Sequence, residues 1–372
     1  QVVRFLSIAP FARHPRCLGR RAAASWAMSA AWSRLAVWGA LLVPAASQVI
    51  VVNGTDGNSS GGAADLAAAA AQPIGASGAA PWPSCAGDWT QRSLAIGGVP
   101  GAYLVGAGGV AERDRLTLRH DSGFSALFSC EEERLPRSIV PFRLAGGRIS
   151  FSVDLSSVGC ACNVAVYLVA SPTHDWLGDD QRDRPSGDGI RGLRGDGQPP
   201  YYCDANRIGG QWCPEVDLME ANKWALQSTL HRCGSSKRGH YSSCDRTGCS
   251  QNTNEDPWSY GPGRRYAIDT TRPFEVHTEF GEDSAAMGGF RTILQQGLRR
   301  VVLAHAECDA EYAAALGGAL RRGMALRVTY WGDNASTMAW LDQPPCGNAT
   351  SCGGPRAGRA VLGGFRVAPR AP

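Results

Sequence analysis

From Trp82 onward the chain repeats one local pattern, short segments of alternating apolar and polar residues set between glycine-rich turns. The clearest are Arg148 to Asp154 (RISFSVD), Asn163 to Val169 (NVAVYLV), Glu215 to Met219, Phe274 to Phe280 (FEVHTEF), Ala325 to Trp331 (ALRVTYW) and Ala360 to Val367. Side chains alternate sides along a strand, so this period of two predicts strands with one face in a core. Many such strands without intervening helices predict an all-β sandwich of two antiparallel sheets. One helical exception is expected over Cys308 to Arg322, short and broken near Gly317, because glycine weakens a helix interior. Residues 48–81 lack bulky side chains over most of their length (GTDGNSSGGAADLAAAAAQPIGASGAA from Gly54) and are expected to form a flexible arm.

Charge narrows the partners. Of 37 Lys and Arg, six (Arg4, Arg13, Arg16, Arg20, Arg21, Arg34) precede residue 48, where no acid occurs, leaving 31 against 33 Asp and Glu, or −2. A body without excess cations does not suit a nucleic-acid partner. The basic start has another explanation. Residues 28–47 read as a signal peptide: Arg34, an apolar run from Leu35 to Val43, then Ala45 and Ser47 before a cut at Gln48. The run is too short to span a bilayer, so no membrane association is expected after cleavage. Residues 1–27 read as an upstream extension or targeting segment.

Cysteine usage agrees with export. Apart from Cys17 there are twelve: Cys85, Cys130, Cys160, Cys162, Cys203, Cys213, Cys233, Cys244, Cys249, Cys308, Cys346 and Cys352. An even number in an exported chain predicts a disulfide framework. Zinc is the rival, but paired CxxC sets with zinc-knuckle spacing are missing, and no metal or other cofactor is expected. Asn53, Asn58, Asn334 and Asn348 are glycosylation sequons. The expected location is extracellular or cell wall.

The chemistry concentrates in Glu215-Val-Asp-Leu-Met-Glu220. On a regular strand Glu215 and Asp217 share a face and Glu220 lies opposite; a β-bulge between Asp217 and Glu220 would bring all three together. Three adjacent carboxyls must share protons, so one is expected to act as an acid near neutral pH. That is what glycoside hydrolysis with retention requires of a nucleophile and an acid/base.

The surroundings, CPEVDLMEAN from Cys213 followed by TLHRC from Thr229, resemble the active-site strand of glycoside hydrolase family 7, the cellobiohydrolases and β-1,4-endoglucanases. The resemblance extends to SFSVDLSSVGCACNVAVYLVAS, Tyr202-Cys203-Asp204, SSCDRTGC, YGPG, AIDTT and MALRVTYWGDNASTMAWLD, covering roughly residues 145–368. It implies a concanavalin-like jelly roll with a concave substrate cleft, and a catalytic domain over 82–372. It further implies a monomeric secreted enzyme whose partner is a β-glucan such as cellulose.

Carried over residue by residue, Glu215 is implied as nucleophile, Glu220 as acid/base, Asp217 as the carboxylate tuning them, and His231 as a group beside the leaving-group site. Asn163, Tyr167 and Asp204 are implied to contact sugar, the first two sharing a strand face. Trp331 and Trp340 are implied platforms on either side of the scissile bond, where the flat C–H face of a pyranose stacks on indole. The resemblance also implies the pairs Cys203–Cys213, Cys233–Cys244 and Cys249–Cys308, with Cys160 bonded to Cys346 or Cys352. Cys85, Cys130, Cys162 and the remaining cysteine complete six.

Two departures bear on the substrate. Only nine residues, 204–212, separate Cys203 from Cys213, and the arginine expected near the product site is missing from PPCGNATSC. Short loops favour an open groove and internal cuts. A family 16-type β-1,3(4)-glucanase shares E-x-D-x-x-E, and a non-catalytic glycan-binding sandwich would keep the groove. The flanking cysteines, His-x-Cys and the tryptophan pair speak against the first, and retention of all three acids against the second.

Overall fold

A computed structural model describes residues 50–53, 93–112, 114–130, 138–171, 202–208, 212–237, 240–281, 290–348 and 350–368. These all belong to the unit Ala45–Pro372. The segments 1–27 and 28–47, most of the 48–81 arm, Cys85 and Asn58 lie outside the described residues.

In chain order the strands are β1 (Ile50–Asn53), β2 (Leu94–Ala95), β3 (Tyr103–Glu112), β4 (Arg115–Leu127), β5 (Arg148–Asp154) and β6 (Cys162–Val169). Next come β7 (Glu215–Ala221), β8 (Leu226–His231), β9 (Ser236–Lys237), β10 (His240–Tyr241), β11 (Cys249–Asn252) and β12 (Tyr260–Gly261). The rest are β13 (Ile268–Asp269), β14 (Phe274–Glu279), β15 (Arg291–Gln296), β16 (Arg299–Leu303), β17 (Ala325–Gly332) and β18 (Arg359–Ala368). Two helices, α1 (Ala310–Arg322) and α2 (Ala339–Asp342), flank β17.

The strands hydrogen-bond in the order β1-β16-β15-β14-β5-β18-β4-β17-β6-β7-β8-β11, with β2 and β3 joined to β4. This ladder folds over itself. Ser228 Oγ on β8 lies 3.1 Å from Thr292 Oγ1 on β15, although the two strands stand near opposite ends of the path. The layers of the expected sandwich are thus two halves of one antiparallel ladder.

Between them lies the main core. Ile149, Phe151 and Val153 come inward from β5, Val164, Val166 and Leu168 from β6, and Leu326, Val328 and Tyr330 from β17. Each such side chain contributes roughly 1.5–3 kcal/mol by leaving water. The reverse face of β6 and β17 holds Asn163, Tyr167 and Arg327, also buried. A strand covered on both sides, with polar groups on the second, places the chemistry there.

Two expectations change. Ile50–Asn53, within the expected flexible arm, pairs antiparallel with β16, since Ile50, Val51 and Val52 form a β-branched run suited to a sheet edge. The helix expected to break near Gly317 runs unbroken over Ala310–Arg322, with Asp309 Oδ1 capping Tyr312 N at 2.6 Å. Burial of Leu316, Ala319 and Leu320 offsets the glycine penalty.

Five disulfides bind the described residues. Cys203–Cys213, Cys233–Cys244 and Cys249–Cys308 are bonded, Cys160 takes Cys346, and Cys162 therefore takes Cys352. Cys130 is disulfide-bonded as well. Such bonds lower the entropy of the unfolded chain, most for the long loops closed by Cys160–Cys346 and Cys162–Cys352, each typically stabilising by about 2–5 kcal/mol. Asn348 is exposed, whereas Asn334 uses its side-chain carbonyl to cap its own turn, accepting from Ser336 and Thr337 N–H. No helix among the described residues is long and apolar enough to cross a membrane.

Candidate active site

The acids meet through a bulge. Opposite β8, Asp217 faces Thr229 while Glu220 faces Gln227, three residues on one strand against two on the other. Opposite β6, Tyr167 faces Asp217 and Val166 faces Met219, so Leu218 is the extra residue. Leu218 and Met219 both point into the core, and Glu220 returns to the face of Glu215 and Asp217. Ala165, opposite Glu220, adds little bulk above the floor.

His231 stands directly across from Glu215. Its Nδ1 lies 2.8 Å from the backbone carbonyl of Asp245; a carbonyl only accepts, so Nδ1 carries a proton. Its Nε2 lies 2.9 Å from Asp217 Oδ2, so one proton is shared between imidazole and carboxyl. Asp245 is fixed in turn: its carboxyl accepts from Gly248 N, Thr247 N and the Tyr312 hydroxyl. Burial, the largest single influence, pushes its carboxyl up, but the hydrogen bonds from Gly248, Tyr312 and Thr247 together hold it below the usual carboxylate value. Gly248 has φ +71°, and a Cβ there would stand 2.7 Å from His231 Nδ1, so only glycine permits this approach.

Glu215 accepts from Ala205 N at 2.9 Å, and Glu220 accepts from Asn163 Nδ2 at 2.9 Å. Burial, then the charges of Asp217 and Asp204, push the Glu215 carboxyl well up, against a lowering by His231. Burial and Asp204 raise Asp217 as well. Glu220 is pushed up to about 8, by burial first and the Asp217 charge second. A carboxylic acid still protonated at neutral pH is what a general acid needs.

A stability prediction follows for Glu220. Its folded value lies above its ordinary 4.5, so its contribution is full below that pH and is lost as pH rises through about 8. Thermal melts should show Tm falling across this window, and Glu220→Gln should flatten that part of the slope. A variant with the wild-type slope would refute it.

The other expected contacts divide. Trp331 pairs across β6 with Asn163, which puts its ring on the acid face. Trp331 and Trp340 are 41% and 40% exposed, with ring centroids 6.5 Å apart at 30°, so they form one continuous aromatic surface. Leu341 and Asp342, buried, anchor the turn that presents Trp340. Asp342 Oδ2 accepts from Ala161 N and Asn222 Nδ2.

Tyr167 and Asp204, expected at the sugar, are as buried as the acids themselves. Tyr167 is buried, its hydroxyl 3.0 Å from that of Tyr202. Asp204, also buried, accepts at Oδ1 from the N–H groups of Asn206 and Ile208, a local turn that leaves Ala205 N–H facing Glu215. Its role is to shape this loop and add a negative charge beside Glu215.

Sequence reasoning missed Thr329, which shares the face of Trp331 by period two and has a buried Oγ1 without a partner. Asn163 Oδ1 is likewise unpartnered. Both are buried polar atoms left unsatisfied on the face that carries Glu220. The alternation 327, 329, 331 was the available signal. Ala205 N–H and the Asp245 carbonyl left none, because backbone groups carry no residue identity.

The donor atoms do not suit a metal. Glu215, Asp217 and His231 converge within 4.8 Å, but His231 and Asp217 already satisfy each other at 2.9 Å. Cys160 and Cys346, near Asp342, are oxidised to a disulfide and offer no thiolate.

A sequence profile of Glycosyl hydrolase family 7 matches residues 203–307, which include every acid and the histidine of this site. Endoglucanase EG-1 of Hypocrea jecorina is 28% identical over 242 residues, 57% of this chain and 48% of its own length. Endoglucanase 1 of Pyricularia oryzae is 29% identical over 266 residues, 56% of this chain and 59% of its length. The chain thus spans about half the length of these curated relatives. Among solved structures, an endoglucanase I complexed with cellobiose matches with a TM-score of 0.54 at 22% identity, covering 70% of this chain and 78% of that one. A family 7 cellobiohydrolase from Daphnia pulex matches with a TM-score of 0.52 at 20% identity, covering 76% and 81%. At these identities the structural likeness concerns the fold.

Proposed function

Because residues 203–307 are a segment of the Glycosyl hydrolase family 7 type on a sandwich like that of its solved members, we propose that this chain hydrolyses β-1,4-glucan with retention of configuration. One observation carries the reading: the bulge after Asp217 puts Glu215 and Glu220 on one face with the Asp217–His231 pair between them.

The roles follow from the environment of each group. Glu220, protonated at neutral pH and oriented by Asn163, gives its proton to the departing glycosidic oxygen. Glu215, held by Ala205 N–H, attacks the anomeric carbon and forms the glycosyl ester. Glu215 must be ionised to attack, and Asp217 with His231 provides a place for its proton. Glu220, now a carboxylate, then draws a proton from water as water cleaves the ester. Trp331 and Trp340 offer one stacking surface to the chain.

Endo action is the finer reading. The loop between Cys203 and Cys213 is short, which favours an open groove, and the curated relatives named above are endoglucanases. Export to an oxidising compartment fits the five disulfides.

The test is product analysis on soluble cellulose derivatives, lichenan, laminarin and xylan, with NMR of the first products. Release of mixed oligosaccharides from β-1,4-glucan as the β-anomer is expected. A first-formed α-anomer would sink retention, activity confined to laminarin would favour the β-1,3-glucanase alternative, and binding without cleavage would leave a lectin.

A further inference from the structure

Arg327 on β17 is 1% exposed. Its Nη1 donates to Ser125 Oγ and its Nη2 to Ser171 Oγ, while Nε has no hydrogen-bond partner. No carboxylate pairs with it among the described residues. Burial lowers its proton affinity only to about 10, so it remains a cation at neutral pH. A guanidinium held by two neutral hydroxyls is costly, and the fold keeps it in one particular place.

That place is beside Tyr167, where a hydrogen-bonded chain to the acids begins. Arg327 is the cross-strand partner of Tyr167 on β6. The Tyr167 and Tyr202 hydroxyls are 3.0 Å apart, and Tyr202 hydrogen-bonds the Asp204 carboxyl. When Asp204 is ionised, Tyr202 spends its single proton there, so Tyr167 donates to Tyr202. Asp204 folds the turn that aims Ala205 N–H at Glu215 Oε2. The Cys203–Cys213 bond closes the same loop.

We propose that Arg327 is a positioning and charge-balancing residue for the nucleophile, acting through Tyr167, Tyr202 and Asp204 without touching substrate. The inference rests on the reading of Glu215 as nucleophile. The other charged groups acting on this chain are Glu215 from β7, which faces both tyrosines, and Asp217, which faces Asp204; His231 from β8 and Glu220 lie one step further, against Glu215 and Asp217, while β4 and residue 171 offer Arg327 the hydroxyls of Ser125 and Ser171. With several carboxyls sharing protons, a nearby cation lowers the apparent pKa of the whole set. Removing it moves the acid limb of activity to higher pH.

The experiment compares Arg327→Met, Arg327→Lys and Tyr202→Phe in the full chain. It measures kcat and KM against pH on a chromogenic β-1,4-glucan oligosaccharide, together with carboxyl titration by 13C NMR, which needs no turnover. Arg327→Met should shift the acid limb up by about one pH unit, a roughly tenfold loss of kcat on the acid side with little change in KM. Lys should restore most of the shift, and Tyr202→Phe should move the limb in the same direction. A folded Arg327→Met with the wild-type limb, or Lys behaving as Met does, would overturn the proposal. Should Arg327→Met not fold, an unshifted Tyr202→Phe overturns it. If the wild type cleaves no β-glucan, the functional reading falls by itself, and the carboxyl titration still decides whether Arg327 sets the midpoint of Glu215.

Discussion

Glu215→Gln is expected to lower kcat by about 10⁴-fold or more on every substrate, because a neutral amide cannot form the glycosyl ester. Glu220→Gln is expected to behave differently. On unactivated glucan the loss should be about 10²–10⁴-fold, the range of general acid catalysis. On aryl glycosides with acidic leaving groups the first step should be nearly unaffected, since such a group departs without protonation. Neither change should harm the fold, since both carboxyls resist ionisation in the buried site and an amide removes that cost. Steady-state and burst kinetics on both substrate classes, with melts of each variant, separate the two roles. Glu215→Gln with near wild-type turnover, or Glu220→Gln losing equally on both classes, would reverse or cancel the assignment.

Trp340→Ala should split substrates by length. The indole is 40% exposed and lies 6.5 Å from Trp331, so its loss should leave Tm within a few degrees of wild type. Stacking a pyranose there buries apolar surface and stabilises the bound chain by about 1.5–2.5 kcal/mol, or roughly 10- to 70-fold in kcat/KM on long chains. Short aryl glycosides that do not reach the ring should be hydrolysed as before. Because the two rings touch one continuous surface, Trp331→Ala combined with Trp340→Ala should cost less than the sum of the single losses. Equal losses on long and short substrates, with a collapsed Tm, would mean packing.

Much of this protein follows from its sequence. Period-two alternation determines the strands, since a half-buried strand has no other way to separate its faces: Arg148–Asp154 is observed with the bounds that RISFSVD implies. The bulge after Asp217 is legible because three carboxyls in E-x-D-x-x-E can converge only if one extra residue is taken up, and Leu218 is that residue. Cys203–Cys213 and Cys233–Cys244 join neighbours along the chain. Their pairing follows from the same local resemblance.

Tertiary structure decided what depends on distant partners. The choice of Cys346 for Cys160 and Cys352 for Cys162 spans 186 and 190 residues, a distance over which spacing in sequence has no geometric meaning. Glycines at 317 and 318 weaken an isolated helix, yet α1 persists because its inner face is buried against the sheet. Asp204 looks from its motif like a sugar contact, and only the fold of its loop turns it inward to organise Ala205 N–H. Arg327 reads as an ordinary polar position on an alternating strand. Its burial beside Tyr167 arises because a second layer, the 202–208 loop, covers that face, and no local pattern encodes which face of a strand another segment will close over.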